Sequence, residues 1–137
     1  MVKLIKKILN MKPSEVVEKI EKNAANFNFI VRKSFNMGKE FSHHDVDVDE
    51  SFKFYSIMLC NPKKAYKSIF KKPIRGAILL PPKQVAVYSD NESRKTIVAY
   101  MQIEEEDIKK MLPQDEEFKK GLSDSCKKIE ELIKSIS

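Results

Sequence analysis

Residues 52–62, FKFYSIMLCNP, place the sharpest constraint on what this chain can fold into. Phe52, Phe54, Ser56, Met58 and Cys60 fall on one side of an extended backbone, and Tyr55, Ile57 and Leu59 on the other. That is the two-residue period of a strand. Apolar residues on both sides near its end predict an interior strand. It stops at Asn61-Pro62, a good N-cap followed by proline at the first helical position, where the missing N–H costs nothing. The helix predicted from there has Ala65, Tyr66, Ile69 and Phe70 as its inner stripe and Lys63, Lys64, Lys67, Lys71 and Lys72 outside, and Pro73 ends it. Tyr66 and, beyond the helix, Leu80 are read as core residues.

The flanking chain supplies the rest of an α+β pattern. Val2 to Lys12 fits either an amphipathic helix suited to a membrane surface or a strand, because its apolar run is short. Ser14 is a fitting cap for a helix from Glu15 to about Ala25, with Val16, Val17, Ile20 and Ala24 on one side. Phe27, Phe29, Val31 and Phe35 alternate as a strand that Asn36-Met37-Gly38 breaks. Residues 40–50 read as an acidic loop. Ile74 to Leu80 reads as an apolar crossing segment, which Pro81-Pro82 keeps from running on as a central strand. Val85 to Tyr88 and Thr96 to Ile103 read as a strand pair joined by a turn over Ser89 to Ser93. Pro113 interrupts an acidic stretch, and Phe118, Leu122, Cys126, Ile129, Leu132, Ile133 and Ile136 then mark a long amphipathic helix.

At 137 residues, 42% hydrophobic and 34% charged, the chain suits one globular domain over 1–137 that needs no disulfide or metal staple. Two cysteines and no signal peptide suggest a reducing, cytoplasmic setting, and no stretch is long and apolar enough to span a bilayer. The formal charge of +6 is concentrated. From Ser51 to Ser89 there is no Asp or Glu, while Lys53, Lys63, Lys64, Lys67, Lys71, Lys72, Arg75 and Lys83 are basic, and acidic runs flank that stretch on both sides.

The spaced set Cys60-Asn61-Pro62, Ala65-Tyr66, Gly76, Leu79-Leu80-Pro81 and Val85 to Tyr88 resembles the family catalogued as domain of unknown function number 302, over roughly Ser14 to Met101. The resemblance implies a TBP-like α+β domain with an antiparallel sheet of about five strands and helices on one face, in the order β-α-β-β-α-β-β-α. It implies pairing as homodimers, and it favours a strand for the leading stretch. This chain departs from the pattern in having Pro82 where many relatives carry a second cysteine after Leu-Leu-Pro, which argues against two-cysteine chemistry.

Chemistry is thinly marked. Asp45, Asp47 and Asp49 resemble the start of a calcium loop, but Glu50 stands where glycine is needed and Ser56 where a bidentate glutamate belongs. The adjacent His43 and His44 do not suit one zinc. No nucleophile elbow, phosphate loop or dinucleotide fingerprint is present, so no independent turnover is expected and no cofactor is indicated. Cys60 precedes a helix N-terminus, where amide groups and the dipole favour an anion. The reading is a small anionic ligand, or a metal or sulfur species, held near Cys60, Asn61, Pro62, Tyr66 and Pro81, with Lys63, Lys64 and Lys67 as anion-binding lysines. The alternatives are thiol redox or sulfur transfer through Cys60, and nucleic-acid binding through the Lys63–Lys72 helix. Opposing the first is the ordinary role of a cysteine as a small buried hydrophobe. Opposing the last is a merely solvated lysine face.

Overall fold

A computed structural model describes residues 1–80 and 83–137 of the chain. Lys3–Leu9 is a strand, β1, so the leading stretch is extended. Helix α1 is Pro13–Asn23, with Lys12 in the cap position and Pro13 at the first helical position. A 3-10 turn over Ala24–Phe27 closes on Asn28 at φ 64°, a left-handed conformation that asparagine tolerates. The turn takes up the first residues of the expected strand, and β2 spans Ile30–Asn36. Met37–Ser42 then forms a short helix, α2, where a break was expected, because the Asn36 side chain accepts a hydrogen bond from the Lys39 amide at 3.2 Å.

The strand read from 52–60 is β3, Phe54–Cys60. Helix α3, Pro62–Lys71, is followed by the short α4, Arg75–Leu79. Strands β4, Gln84–Ser89, and β5, Thr96–Gln102, form a hairpin. Helix α5, Glu105–Met111, and the long α6, Glu116–Ser135, complete the chain. No helix among the described residues is long and apolar enough to cross a membrane.

All strand pairs are antiparallel, and the sheet order is β1-β5-β4-β3-β2. β3 is interior, as its two-sided apolar pattern requires. One face carries Ile57 and Leu59 from β3, Val85 and Val87 from β4, and Val98 and Tyr100 from β5. Against it pack Val16, Val17 and Ile20 of α1 and Leu122, Cys126, Ile129, Leu132 and Ile133 of α6, all buried. Among the described residues, neither α1 nor α6 covers the opposite face. Leu4, Ile8 and Met101 are more than half exposed there, and the rings of Phe41, Phe52, Phe54 and Tyr88 form a row.

One assignment needs correcting. Tyr66 and Phe70 do not line the inner side of α3; they are 69% and 75% exposed, with ring centroids 5.7 Å apart. Helix α3 turns Ala65 inward and sets Ile69 beside Gly76 of α4, so the 100° step per residue carries Tyr66 and Phe70 outward. Leu80 is half-buried.

A buried ion pair ties α4 to α6. The Arg75 guanidinium, 3% exposed, donates to Asp115 through Nε at 2.8 Å and Nη2 at 2.7 Å. The same carboxylate caps α6 by accepting from the Phe118 amide at 3.1 Å. The Arg75 hydrogen bonds, helped by that amide, hold the Asp115 carboxyl down at about 2. Because this lies below the unfolded value of roughly 3.9, the carboxylate contributes stability above that pH, and the contribution is lost as pH falls through the folded value. Urea midpoints measured between about pH 5 and pH 2 are therefore expected to fall in the wild type. In Asp115→Asn the pair's part of that fall disappears, and stability at neutral pH drops by about 3 kcal/mol because the buried Arg75 keeps only its longer contact, 3.5 Å, with the exposed Glu117. Equal stability of the two proteins at pH 7 would contradict this role.

Candidate functional site

The strand-to-helix junction forms as its residues dictate. Pro62 takes the first position of α3, and the Asn61 side chain accepts from the Lys64 amide at 3.2 Å. The cap thereby occupies one of the amides that an anion at this helix end would use. Cys60 pairs with Ile30 across the β3–β2 ladder and is 8% exposed. Asn61, Pro62, Lys63, Lys64 and Lys67 share an open depression with Asn28, and Cys60 is not part of its lining. Tyr66 lies on the outer side of α3, and Pro81 falls outside the described residues.

A deeper concavity lies on the other side of Lys64 and Lys67. It is a groove of about 430 Å³ between α3 and α6, with α4 and the residue before β4 also contributing. Lys64, Lys67, Lys71, Arg75 and Lys83 bring cationic side chains to it, Ser68, Ser125 and Glu117 bring polar ones, and Leu79, Phe118 and Leu122 form its apolar wall. The Lys64 ammonium reaches across to donate to the Gly121 carbonyl at 3.1 Å and the Ser125 hydroxyl at 3.2 Å.

Charge pairing within the groove is uneven. Arg75 is matched by Asp115, and Lys71 meets Glu117 at 3.1 Å. Lys64 meets only neutral oxygens. Among the described residues no carboxylate lies within 4.0 Å of Lys67 or Lys83. Lys83 is the unusual one, because it is only 1% exposed. Its Nζ lies 5.9 Å from the centre of the Phe29 ring. Burial, assisted by Lys64, pushes the Lys83 amine below the usual lysine value, and the nearby thiols of Cys60 and Cys126 oppose the shift only in part. A cation this far from water without a counter-charge costs several kcal/mol, so the site favours the neutral amine or an anion brought from outside.

Behind Lys83 the core is chemically quiet. Cys60 and Cys126 are both unbridged and buried, and burial raises the Cys126 thiol. The Tyr100 hydroxyl is buried without a hydrogen-bond partner among the described residues, and burial raises the phenol strongly. No three His, Cys, Asp or Glu side chains among the described residues converge where they could hold a metal, and His43 and His44 lie exposed around the end of α2.

Two of the lysines expected from sequence, Lys64 and Lys67, thus face the groove, whereas Cys60 does not. Arg75, Lys83 and Ser125 were not expected there. The acid-free stretch from Ser51 to Ser89 contained the first two, but nothing local to Lys83 marks it as buried. Ser125 enters through the packing of α6 beside α3, a contact between residues 61 positions apart.

Comparison with other proteins bears on the fold more than on the groove. No curated protein matches the chain. The crystal structure of an uncharacterized conserved protein DUF302 from Bacillus stearothermophilus is similar at a TM-score of 0.67 and 17% sequence identity, covering 96% of this chain and 93% of that one. At that identity the likeness shows a shared fold. The family model described as domain of unknown function DUF302 matches residues 5–136, nearly the whole sequence. The chain belongs to the DUF302 family.

Proposed function

We propose that this domain binds a small anionic ligand carrying a carboxylate or phosphate group, seated in the groove between α3 and α6. The observation that carries the reading is Lys83, buried without a carboxylate partner in a concavity that also presents Lys64 and Lys67. A buried, pre-positioned lysine draws an anion more strongly than the same group on an open surface, and the exposed Lys64 and Lys67 add positive charge beside it. The apolar wall of Leu79, Phe118 and Leu122 suits a ligand with a short hydrocarbon part beside its charge. Lys63, Asn61 and Pro62 flank this site from the neighbouring depression. Cys60 serves here as a buried neighbour of Lys83, so the redox and sulfur-transfer readings gain nothing from its position.

A second reading concerns assembly. The chain pairs as a homodimer through the sheet face that carries neither α1 nor α6. Leu4 of β1 is opposite Met101, and Ile8 is opposite Ile97, which in turn is opposite Tyr88 and then Phe54. Leu4, Ile8 and Met101 are each more than half exposed on this face, so a partner that covers it removes apolar surface from water. The Ile8–Phe54 row carries no charge, with Lys6 and Lys33 on the next two rows, and a second copy related by a two-fold axis would meet that row sheet on sheet.

Isothermal titration of the protein with inorganic phosphate and pyrophosphate tests the first reading. Binding is expected to weaken as salt rises, and Lys67→Glu is expected to weaken it about tenfold, or roughly 1.4 kcal/mol. Absence of binding, or equal affinity in the variant, would refute the groove as an anion site. For the second reading, light scattering on a sizing column is expected to give twice the 15.9 kDa chain mass. Met101→Glu is expected to reduce the assembly to a monomer, and a wild-type monomer at micromolar concentration would end the idea.

A further inference from the structure

We propose that Lys83 forms a Schiff base with a small anionic carbonyl compound, an α-keto acid or a phosphorylated aldehyde, whose charged end rests on Lys64 and Lys67. The inference rests on the reading of the groove as an anion site and goes beyond it by assigning a covalent step to one residue.

A lysine condenses with a carbonyl only as the free amine, and the burial of Lys83 in the groove wall works toward that form. The residue is 1% exposed, and among the described residues no carboxylate lies within 4.0 Å of its ammonium. The thiols that favour the charged form are buried themselves, and burial keeps that of Cys126 protonated. Lysines that act through nitrogen are made nucleophilic by this combination of desolvation and a neighbouring cation, here Lys64. The exposed lysines of α3 are solvated and lack it.

The groove also supplies the remaining parts. In the addition step the Lys83 nitrogen forms a bond to the carbonyl carbon, and the C=O π pair passes to oxygen, which takes up a proton. The nitrogen then returns one proton to the group that supplied the first. In the dehydration step its lone pair makes the C=N bond while the hydroxyl, protonated by that donor, leaves as water, so the Schiff base keeps one N–H proton. No oxidant or reductant is consumed. The proton that the departing oxygen needs has donors in the same concavity, the Lys64 ammonium and the Ser125 hydroxyl, which are hydrogen-bonded to each other at 3.2 Å. At about 430 Å³ the groove is large enough for a compound of a few carbons with one charged group.

The test incubates the full-length protein with pyruvate or with glycolaldehyde phosphate in the presence of cyanoborohydride and maps adducts by peptide mass spectrometry. The expected result is reduction onto Lys83 with occupancy at least about tenfold above any exposed lysine, its rate lowered severalfold by saturating inorganic phosphate. The pyruvate and phosphate arms show which charged group is preferred. Lys83→Met is expected to remove the dominant adduct, but the wild-type map stands even if that variant folds poorly. Adducts scattered over exposed lysines with Lys83 unmodified would overturn the proposal. So would an adduct on Lys83 that phosphate leaves unaffected, because the charged end would then not sit in the groove. Titration of phosphate on the same sample separates the two levels: phosphate binding without a Lys83 adduct refutes the Schiff base alone, and the lack of both refutes the anion site with it.

Discussion

The Asp115 carboxylate governs the arrangement on the helical side of the sheet. It caps α6 at the Phe118 amide and grips the buried Arg75 guanidinium with two hydrogen bonds, so the start of the longest helix and the short α4 are held by one group. A buried pair of this kind adds little net stability compared with apolar packing, but it fixes geometry. Here it fixes the lower wall of the groove. Its carboxylate is committed to Arg75 and Lys72, and among the described residues no carboxylate lies within 4.0 Å of Lys83.

The chemistry follows from that imbalance. Surface lysines on α3 are ordinary solvated cations, and a row of them alone signifies little. Lys83 differs because it lines the groove directly before β4 while being only 1% exposed. Lys64 then spans the gap to α6, with its ammonium on neutral oxygens. The result is a concavity lined by the exposed Lys64 and Lys67 and by the buried Lys83, with the thiols of Cys60 and Cys126 close to the Lys83 amine.

Much of the fold was legible from local chemistry. The alternation in β3, the Asn61-Pro62 helix start and the apolar spacing of α6 each reflect a rule that acts within a few residues, and each element formed where it was read. Tertiary packing overrides the local pattern in α3. Tyr66 and Phe70 share a stripe with Ala65 and Ile69, but a helix can bury only one side of a broad apolar stripe, and α4 selected Ile69. The short α2 depended on one capping bond from Asn36. The site was half legible: Lys64 and Lys67 follow from the basic run, whereas the burial of Lys83 and the arrival of Ser125 depend on contacts between distant parts of the chain. Cys60, the most conspicuous residue in the sequence, is buried as small hydrophobes usually are.

The most direct test of this account is to follow the Lys83 side chain by heteronuclear NMR as pH is raised, using Lys83→Arg to assign its signal. A buried amine without a carboxylate partner is expected to titrate below the exposed lysines of α3, and to shift upward when phosphate occupies the groove. A Lys83 midpoint equal to that of the exposed lysines, unmoved by phosphate, would show that the ammonium is solvated or paired and would contradict the central claim.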